Sequence, residues 1–216
     1  MASTTSPISA RTASRAQRRQ QLIEATIAVL ARRGYAQTTL SDVAAEAGLS
    51  HGLVNFYFAS KDGLLAETLQ HLSSEYHDNW NGALAAAGPS VAERLAAVLA
   101  ADFNPRVCAP AKLAAWTAFW SEAQSAPLYR AQCGESDDRY ELMLEDLCRR
   151  LVAEGSYGLD ASLVARALRV TVAGLWLDIQ TAPEPRPPRE ALDVVFATAS
   201  AFFPRHFDHR GAIVMG

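Results

Sequence analysis

GYAQTTLSDVAAEAGLSHGLVNFYFASKDGLL, residues 34–65, is the stretch on which the fold turns. Thr39 can cap a helix, and Asp42 stands three residues on, where a capping-box carboxylate reaches back to its cap. Leu40, Val43, Ala44 and Ala47 share one face of that helix, and Gly48 ends it. Leu49 packs the turn, Ser50 caps a third helix of barely two turns, and Phe58-Ala59-Ser60 breaks the chain before a fourth helix starts at Lys61. Two short helices across a three-residue turn containing Gly form a helix-turn-helix, an arrangement whose second helix offers its N-terminal residues to a DNA major groove.

Upstream, Leu22, Ile23, Ala25, Thr26, Val29 and Leu30 keep helical spacing from Gln17 until Gly34 stops the helix. Residues 1–14, rich in Ser, Thr and Ala, show no apolar period and are expected to form a flexible arm; its Arg11, like Arg15 beyond it, can reach DNA or simply remain solvated. Residues 1–64 hold seven Lys or Arg against four acids, whereas the remainder holds 13 against 19. The net charge of -3 therefore hides a basic head on an acidic body, as expected where one end approaches a polyanion. Chance placement on solvated faces gives the same count.

With 216 residues, 50% hydrophobic and 20% charged, the chain can bury a sizeable core, which excludes wholesale disorder and collagen-like structure. No apolar run reaches membrane-spanning length, and MASTTSPISARTASRAQRR lacks the apolar centre of a signal peptide, so a cytoplasmic protein without membrane contact is expected. Cys108, Cys133 and Cys148 have no zinc-ligand spacing and read as reduced core or semi-buried thiols; no metal or cofactor is expected.

Residues 17–65 resemble the DNA-binding signature of the TetR repressor family: Gly-aromatic after helix one, Thr at 38 or 39, the A-x-x-A-G-L-S turn at 44–50, Gly52, Tyr57-Phe58 and Lys61. The resemblance implies an all-α, TetR-like fold of about nine helices. Its parts are a three-helix DNA-binding domain over 15–62, behind the arm at 1–14, and a helical effector-binding and dimerisation domain over 63–216. Thr38 and Thr39, at a helix N-terminus, are expected to hold a phosphate, as are Tyr57 through its hydroxyl and Lys61 through its charge. Ser50, His51, Gly52 and Asn55 occupy the recognition helix, where Gly52 allows close approach and His51 and Asn55 can read base edges. Ser50 and Thr39 can equally be caps alone, His51 an idle surface group, and Phe56 and Phe58 core. Asn55 stands where many members of the family carry Tyr.

The remainder reads as helices throughout, none of it as strand. Lys61 to Leu84 ends before Gly88-Pro89. Ser90 caps a helix with Val91, Leu95, Val98 and Leu99 on one stripe, closed by Pro105. Further helices run from Pro110 to Ser125, from Pro127 to Glu154, from Asp160 to about Thr181 and, past the connector PEPRPPRE, from about Arg189 to Phe203. Val164, Leu168, Val172, Leu175 and Trp176, with Leu192, Val195, Phe196, Ala199 and Phe203, give the last two helices wide apolar faces. Pairing with a second copy in a four-helix bundle would cover them, as in TetR-like proteins; an intramolecular core would do so too. A homodimer through these helices matches a near-palindromic double-stranded operator.

Trp116, Phe119 and Trp120 share a helix face near Glu122, with Tyr129 following, and Trp176 lies beside Asp178 on a later helix. Aromatic faces with nearby carboxylates suit a quaternary ammonium ion, which donates no hydrogen bond and is held by cation-π attraction. This region and GLWLDIQ at 174–180 resemble the choline-responsive subfamily, repressors of glycine betaine synthesis genes, over most of the chain from Gln17. The resemblance implies repression by occupying a promoter, relieved by choline or a related ligand, with the helix from Lys61 as lever. Core packing alone also accounts for each aromatic residue. A regulator of efflux or of other small-molecule metabolism would share the fold and the DNA contacts. An enzyme finds no support: no nucleophile elbow, phosphate loop, histidine pair or reactive cysteine is present, His71 and His77 fall on different faces, and the alternating charges of 135–150, Glu141 and Glu145 among them, read as a solvated face.

Overall fold

The computed structural model describes residues 7–123, 127–184 and 186–213 and folds them almost entirely into helices. Local capping chemistry sets most helix starts. α1 runs Pro7–Gln37, α2 Leu40–Ala47, α3 His51–Tyr57, α4 Lys61–Ala86, α5 Val91–Ala101, α6 Pro110–Ala123, α7 Pro127–Glu154, α8 Ala161–Thr181 and α9 Pro188–Phe202. Thr39, Ser50, Ser60, Ser90 and Asp160 each accept a backbone N–H from the helix they start, and Ser90 with Glu93 closes a full capping box. Gly34 interrupts α1 at φ 73°, and Gly48 ends α2 at φ 65°, two left-handed positions that a side chain would strain.

Two expectations change, and a third falls outside the described residues. The arm is helical from Pro7, because Pro suits a helix start and the Ala- and Arg-rich run extends the helix already nucleated below it; residues 1–6 lie outside the described residues. α6 is described to Ala123, so its expected end at Ser125 lies outside them as well. The chain also closes with an antiparallel pair, β1 (Phe207–Asp208) on β2 (Gly211–Ala212), strands too short to show any hydrophobic period.

Two cores form, and α1 and α4 serve both. Leu22, Ala25 and Val29 face Val43, Ala44, Val54, Phe58 and Leu64 in the head, while Ile23, Ile27 and Leu30 face the body together with Leu65, Leu69 and Leu72. The expected division after residue 62 thus falls inside the first turns of α4, where Leu64 belongs to the head and Leu65 to the body. α1 packs most extensively against α6, so the helix that carries Trp116 and Trp120 also braces the head.

The dimer expectation needs correcting in its residues. Val164, Leu168, Val172, Trp176, Val195, Phe196, Ala199 and Phe203 are all buried within the chain itself, and Leu175 and Leu192 are partly buried against the same core. The apolar groups left outside are Leu163, Val170 and Leu177 on α8, seven residues apart and so on one face, and Val194 on α9; all are about half exposed or more.

Leu22 is fully buried at the centre of the head. Leu22→Ala is expected to cost about 2–5 kcal/mol, through lost transfer energy and the cavity left behind, read as a lower urea midpoint with an unchanged slope.

Candidate functional site

The head presents α3 to solvent. His51 and Asn55 lie one turn apart and are exposed, with the Asn55 Nδ2 3.1 Å from the His51 Nδ1, so the two amphoteric groups form one polar patch. Nothing approaches within 4 Å of where a Cβ on Gly52 would stand, which leaves open ground at the start of the helix. Ser50 accepts the Leu53 N–H at 3.3 Å, and Thr39 accepts the Asp42 N–H at 3.1 Å while donating its hydroxyl to the Asp42 carboxylate at 2.7 Å. Both are therefore caps whose exposed edges border the α3 surface. Tyr57 is half-buried, its ring edge-on to Phe56.

Two expectations fail here for reasons of packing. Thr38 is 1% exposed and donates its hydroxyl to the Gly34 carbonyl at 2.8 Å, so it ties the turn and is closed to a phosphate. Phe56 is 69% exposed, not core; two residues past buried Val54 on α3 it falls on the far side of the helix, while Phe58, the extended residue that caps the helix end, joins Val54 in the head core. Arg15 lies 6.0 Å from the Phe56 ring, at the edge of the α3 surface. Lys61 Nζ donates to the carbonyls of Tyr35 and Ala36 at 3.0 and 3.1 Å and lies 5.5 Å from the Tyr35 ring, capping the end of α1 with its positive charge.

The body encloses a cavity of about 240 Å³ between α4, α6, α7 and α8, a little below the usual range for drug-sized ligands. Trp116, Trp120 and Trp176 stack in sequence, with centroids 6.0 and 6.1 Å apart, and Tyr76 stands edge-on to Trp176 at 5.8 Å. Tyr129 accepts the Trp120 indole N–H at 3.1 Å, and Tyr140 completes the wall. At the mouth, Arg169 is met by Glu141 at 4.0 Å, and Asp137, hydrogen-bonded to Tyr129, adds a second acid. Burial raises the Asp137 carboxyl to about 6 although its side chain remains exposed to solvent.

Of the expected ligand residues, Trp116, Trp120, Tyr129 and Trp176 come together on this cavity, while Phe119, Glu122 and Asp178 do not line it. Phe119 turns the other way, edge-on to Tyr35 at 5.9 Å, because residues three apart on a helix diverge enough to serve two cores. Asp178 pairs with Arg186 at 2.8 Å on another surface. The reading of 135–150 as a wholly solvated face is also incomplete, since Asp137, Tyr140 and Glu141 point one turn of α7 at the cavity. Tyr76 and Tyr140 were missed because the contact that unites them, with Asp102 beneath, joins residues 26 and 38 positions apart.

The family described as bacterial regulatory proteins, tetR family, matches residues 22–68, and the family described as BetI-type transcriptional repressor, C-terminal, matches residues 91–204. The HTH-type transcriptional regulator BetI of Paraburkholderia xenovorans is 34% identical over 81% of this chain and 88% of its own. That of Escherichia coli K12 is 33% identical over 74% and 86%. Among solved structures, a transcriptional regulator of Pseudomonas aeruginosa PAO1 superposes with a TM-score of 0.75 at 32% identity, covering 90% of this chain and 93% of the other. A regulator of Saccharomonospora viridis solved in complex with choline reaches 0.73 at 21% identity, over 89% and 98%.

All three cysteines are free and buried. Burial pushes Cys108 up to about 11 and Cys133 and Cys148 up to about 12, which leaves little thiolate near neutrality. An aromatic disulfide reagent at about pH 8 is expected to titrate none of them until denaturant is added; a fast-reacting thiol in the folded protein would contradict this burial.

Proposed function

Because the chain belongs to the TetR family and carries the C-terminal domain of its BetI-type members, it is a DNA-binding transcriptional repressor, and we propose that its effector is choline or a closely related quaternary ammonium compound. The observation that carries the proposal is the cavity wall of three stacked indoles and three phenols. A quaternary ammonium ion has no N–H to offer, so a polar pocket would desolvate it without return, whereas aromatic faces attract it through their quadrupoles. Glu141 and Asp137 exceed Arg169 by one negative charge at the mouth, which favours entry of a cation. The cavity's size suits a small cation better than a bulky lipophilic one. The choline complex of the Saccharomonospora relative supports the same ligand class.

On DNA, we assign base-edge reading to His51 and Asn55, close approach to Gly52, and phosphate contacts to Tyr57, Lys61 and the exposed N-terminal turns beyond Thr39 and Ser50. Two copies joined through Leu163, Val170 and Leu177 of α8 and Val194 of α9 would present two such heads to a near-palindromic operator. The DNA-binding unit is residues 15–62 together with Leu64, and the rest of the chain forms the effector and dimerisation unit.

Coupling between the two follows from shared helices. α4 lines the cavity at Tyr76 and starts at Lys61, fifteen residues or about 22 Å away along the axis. α6 lines it with Trp116 and Trp120 and touches the head through Phe119 and Tyr35. A ligand that spreads these walls shifts both helices against α1, and the state in which the heads match the operator loses population. The genes this serves are, on this reading, those that convert choline to glycine betaine.

Fluorescence anisotropy of labelled DNA from the upstream region of the protein's own gene tests the reading. Salt-sensitive binding released by choline is expected; binding indifferent to choline and to betaine aldehyde would refute the effector. Trp120→Ala is expected to leave DNA affinity within about twofold while abolishing release. His51→Ala should alter which operator variant is preferred, whereas Tyr57→Phe should weaken all variants by a similar factor.

A further inference from the structure

Asp102, at the end of α5, is fully buried, and no cation pairs with it among the described residues. Its Oδ1 accepts the Tyr76 hydroxyl at 2.8 Å and its Oδ2 the Tyr140 hydroxyl at 2.7 Å, while its main-chain carbonyl accepts the Trp176 indole N–H at 2.9 Å. All three aromatic partners line the cavity, so the carboxyl lies one side chain behind the wall. An ionised carboxylate in such a place is costly without an opposite charge. The other ionisable groups around the cavity are Tyr76 on α4, Tyr129, Asp137, Tyr140 and Glu141 on α7, and Arg169 on α8, which faces Glu141 and Asp137 at the mouth; α6 adds only indoles, and Cys108 approaches from the loop before it.

We propose that Asp102 is the buried counter-charge of the aromatic cage, a positioning residue that acts through Tyr76 and Tyr140, and that it releases a proton to solvent when a quaternary ammonium ion binds. The proposal rests on the effector reading above. In the empty pocket the carboxyl is partly in its neutral form, and its O–H must then donate to one of the two tyrosines. The cation enters, the proton leaves for the buffer, and the net charge of the site is unchanged. Both tyrosine hydroxyls then donate inward to the carboxylate, which turns their oxygen lone pairs and electron-enriched rings toward the ligand. Burial raises this carboxyl to about 7, the two hydroxyl bonds pulling it the other way, so the protonated fraction is large enough near neutrality to be measured.

The sign follows. Below about pH 7 binding must expel the proton, and affinity rises with pH; above it the carboxylate is already formed, and affinity is flat. Calorimetric titration of the full-length protein with choline, in two buffers of unlike ionisation enthalpy, is expected to show nearly one proton released per site at about pH 6 and almost none at about pH 8, with Kd falling about tenfold between them. Asp137→Asn removes the other raised carboxyl, at the mouth; proton release that disappears with it and survives Asp102→Asn would assign the proton to the mouth and overturn the proposal. Asp102→Asn should abolish the release, flatten the pH profile, and erase at least tenfold of the preference for choline over its neutral carbon isostere. Tyr140→Phe should weaken that preference in part. Choline binding by the unaltered protein without proton release, or an Asp102→Asn protein that keeps both the pH profile and the preference, would overturn the proposal without needing any variant that fails to fold. If neither choline nor its isostere binds at all, it is the effector reading that fails, and this inference with it.

Discussion

The hydrogen bonds converging on Asp102 fix where four helices meet. Tyr76 brings α4, Tyr140 brings α7, Trp176 brings α8, and Asp102 itself ends α5. A buried acid holds such partners tightly, because a donor that drifts away leaves a polar group stranded in an apolar interior at about 1–3 kcal/mol or more. Helix packing through leucines alone would permit each helix to slide by itself; this set of directed bonds links the four, so that a push on one is passed to the others. The cavity is therefore a built space whose walls move together, which a site that responds to a small ligand requires. The constraint also reaches the head, since α4 is anchored here at Tyr76 and starts beside α3.

Lys61 shows how the head is held at its other end. Its ammonium closes the last carbonyls of α1 and sits over Tyr35, whose ring meets Phe119 of α6. One residue thus joins the C-terminus of α1 to the N-terminus of α4. Arg19 adds a second tie, donating to Glu67 of α4 and, at 3.3 Å, to the Tyr57 carbonyl at the end of α3. The basic excess of the head is in part spent on these internal contacts, and the charge left to a phosphate backbone is correspondingly smaller than the count of residues 1–64 implies.

What could be read from sequence, and what could not, divides by range. Thr39, Ser50, Ser90 and Asp160 cap helices through groups two or three residues away, and Gly48 ends one through its own φ, so helix boundaries were legible in single short windows. The aromatic cage was legible by half: Trp116 and Trp120 share a face four residues apart, and Tyr129 follows closely. Tyr76, Asp102 and Tyr140 lie on three helices, and nothing local distinguishes Asp102 from the solvated acids around it. Thr38 and Thr39 make the same point at single-residue scale, because two adjacent threonines look alike on paper, while one turns into the core and the other out to the cap.

The apolar faces of α8 and α9 carry the same division further. A stripe wide enough for two jobs cannot be assigned to either by periodicity, and here the buried set, Val164, Leu168, Val172 and Trp176, serves the chain's own core and the cavity wall. Leu163, Val170 and Leu177 follow a strict seven-residue spacing on the opposite side, the seam expected where one helix lies along another at a shallow angle. The two faces of α8 lie back to back, so Trp176 contacts the cavity while Leu177, its neighbour in sequence, points away from the chain. A displacement of α8 by a ligand against Trp176 must then be felt on the Leu177 face as well. On the proposed pairing through this face, the separation between the two heads is tied to the state of the cavity through a single helix, in addition to the proposed paths through α4 and α6.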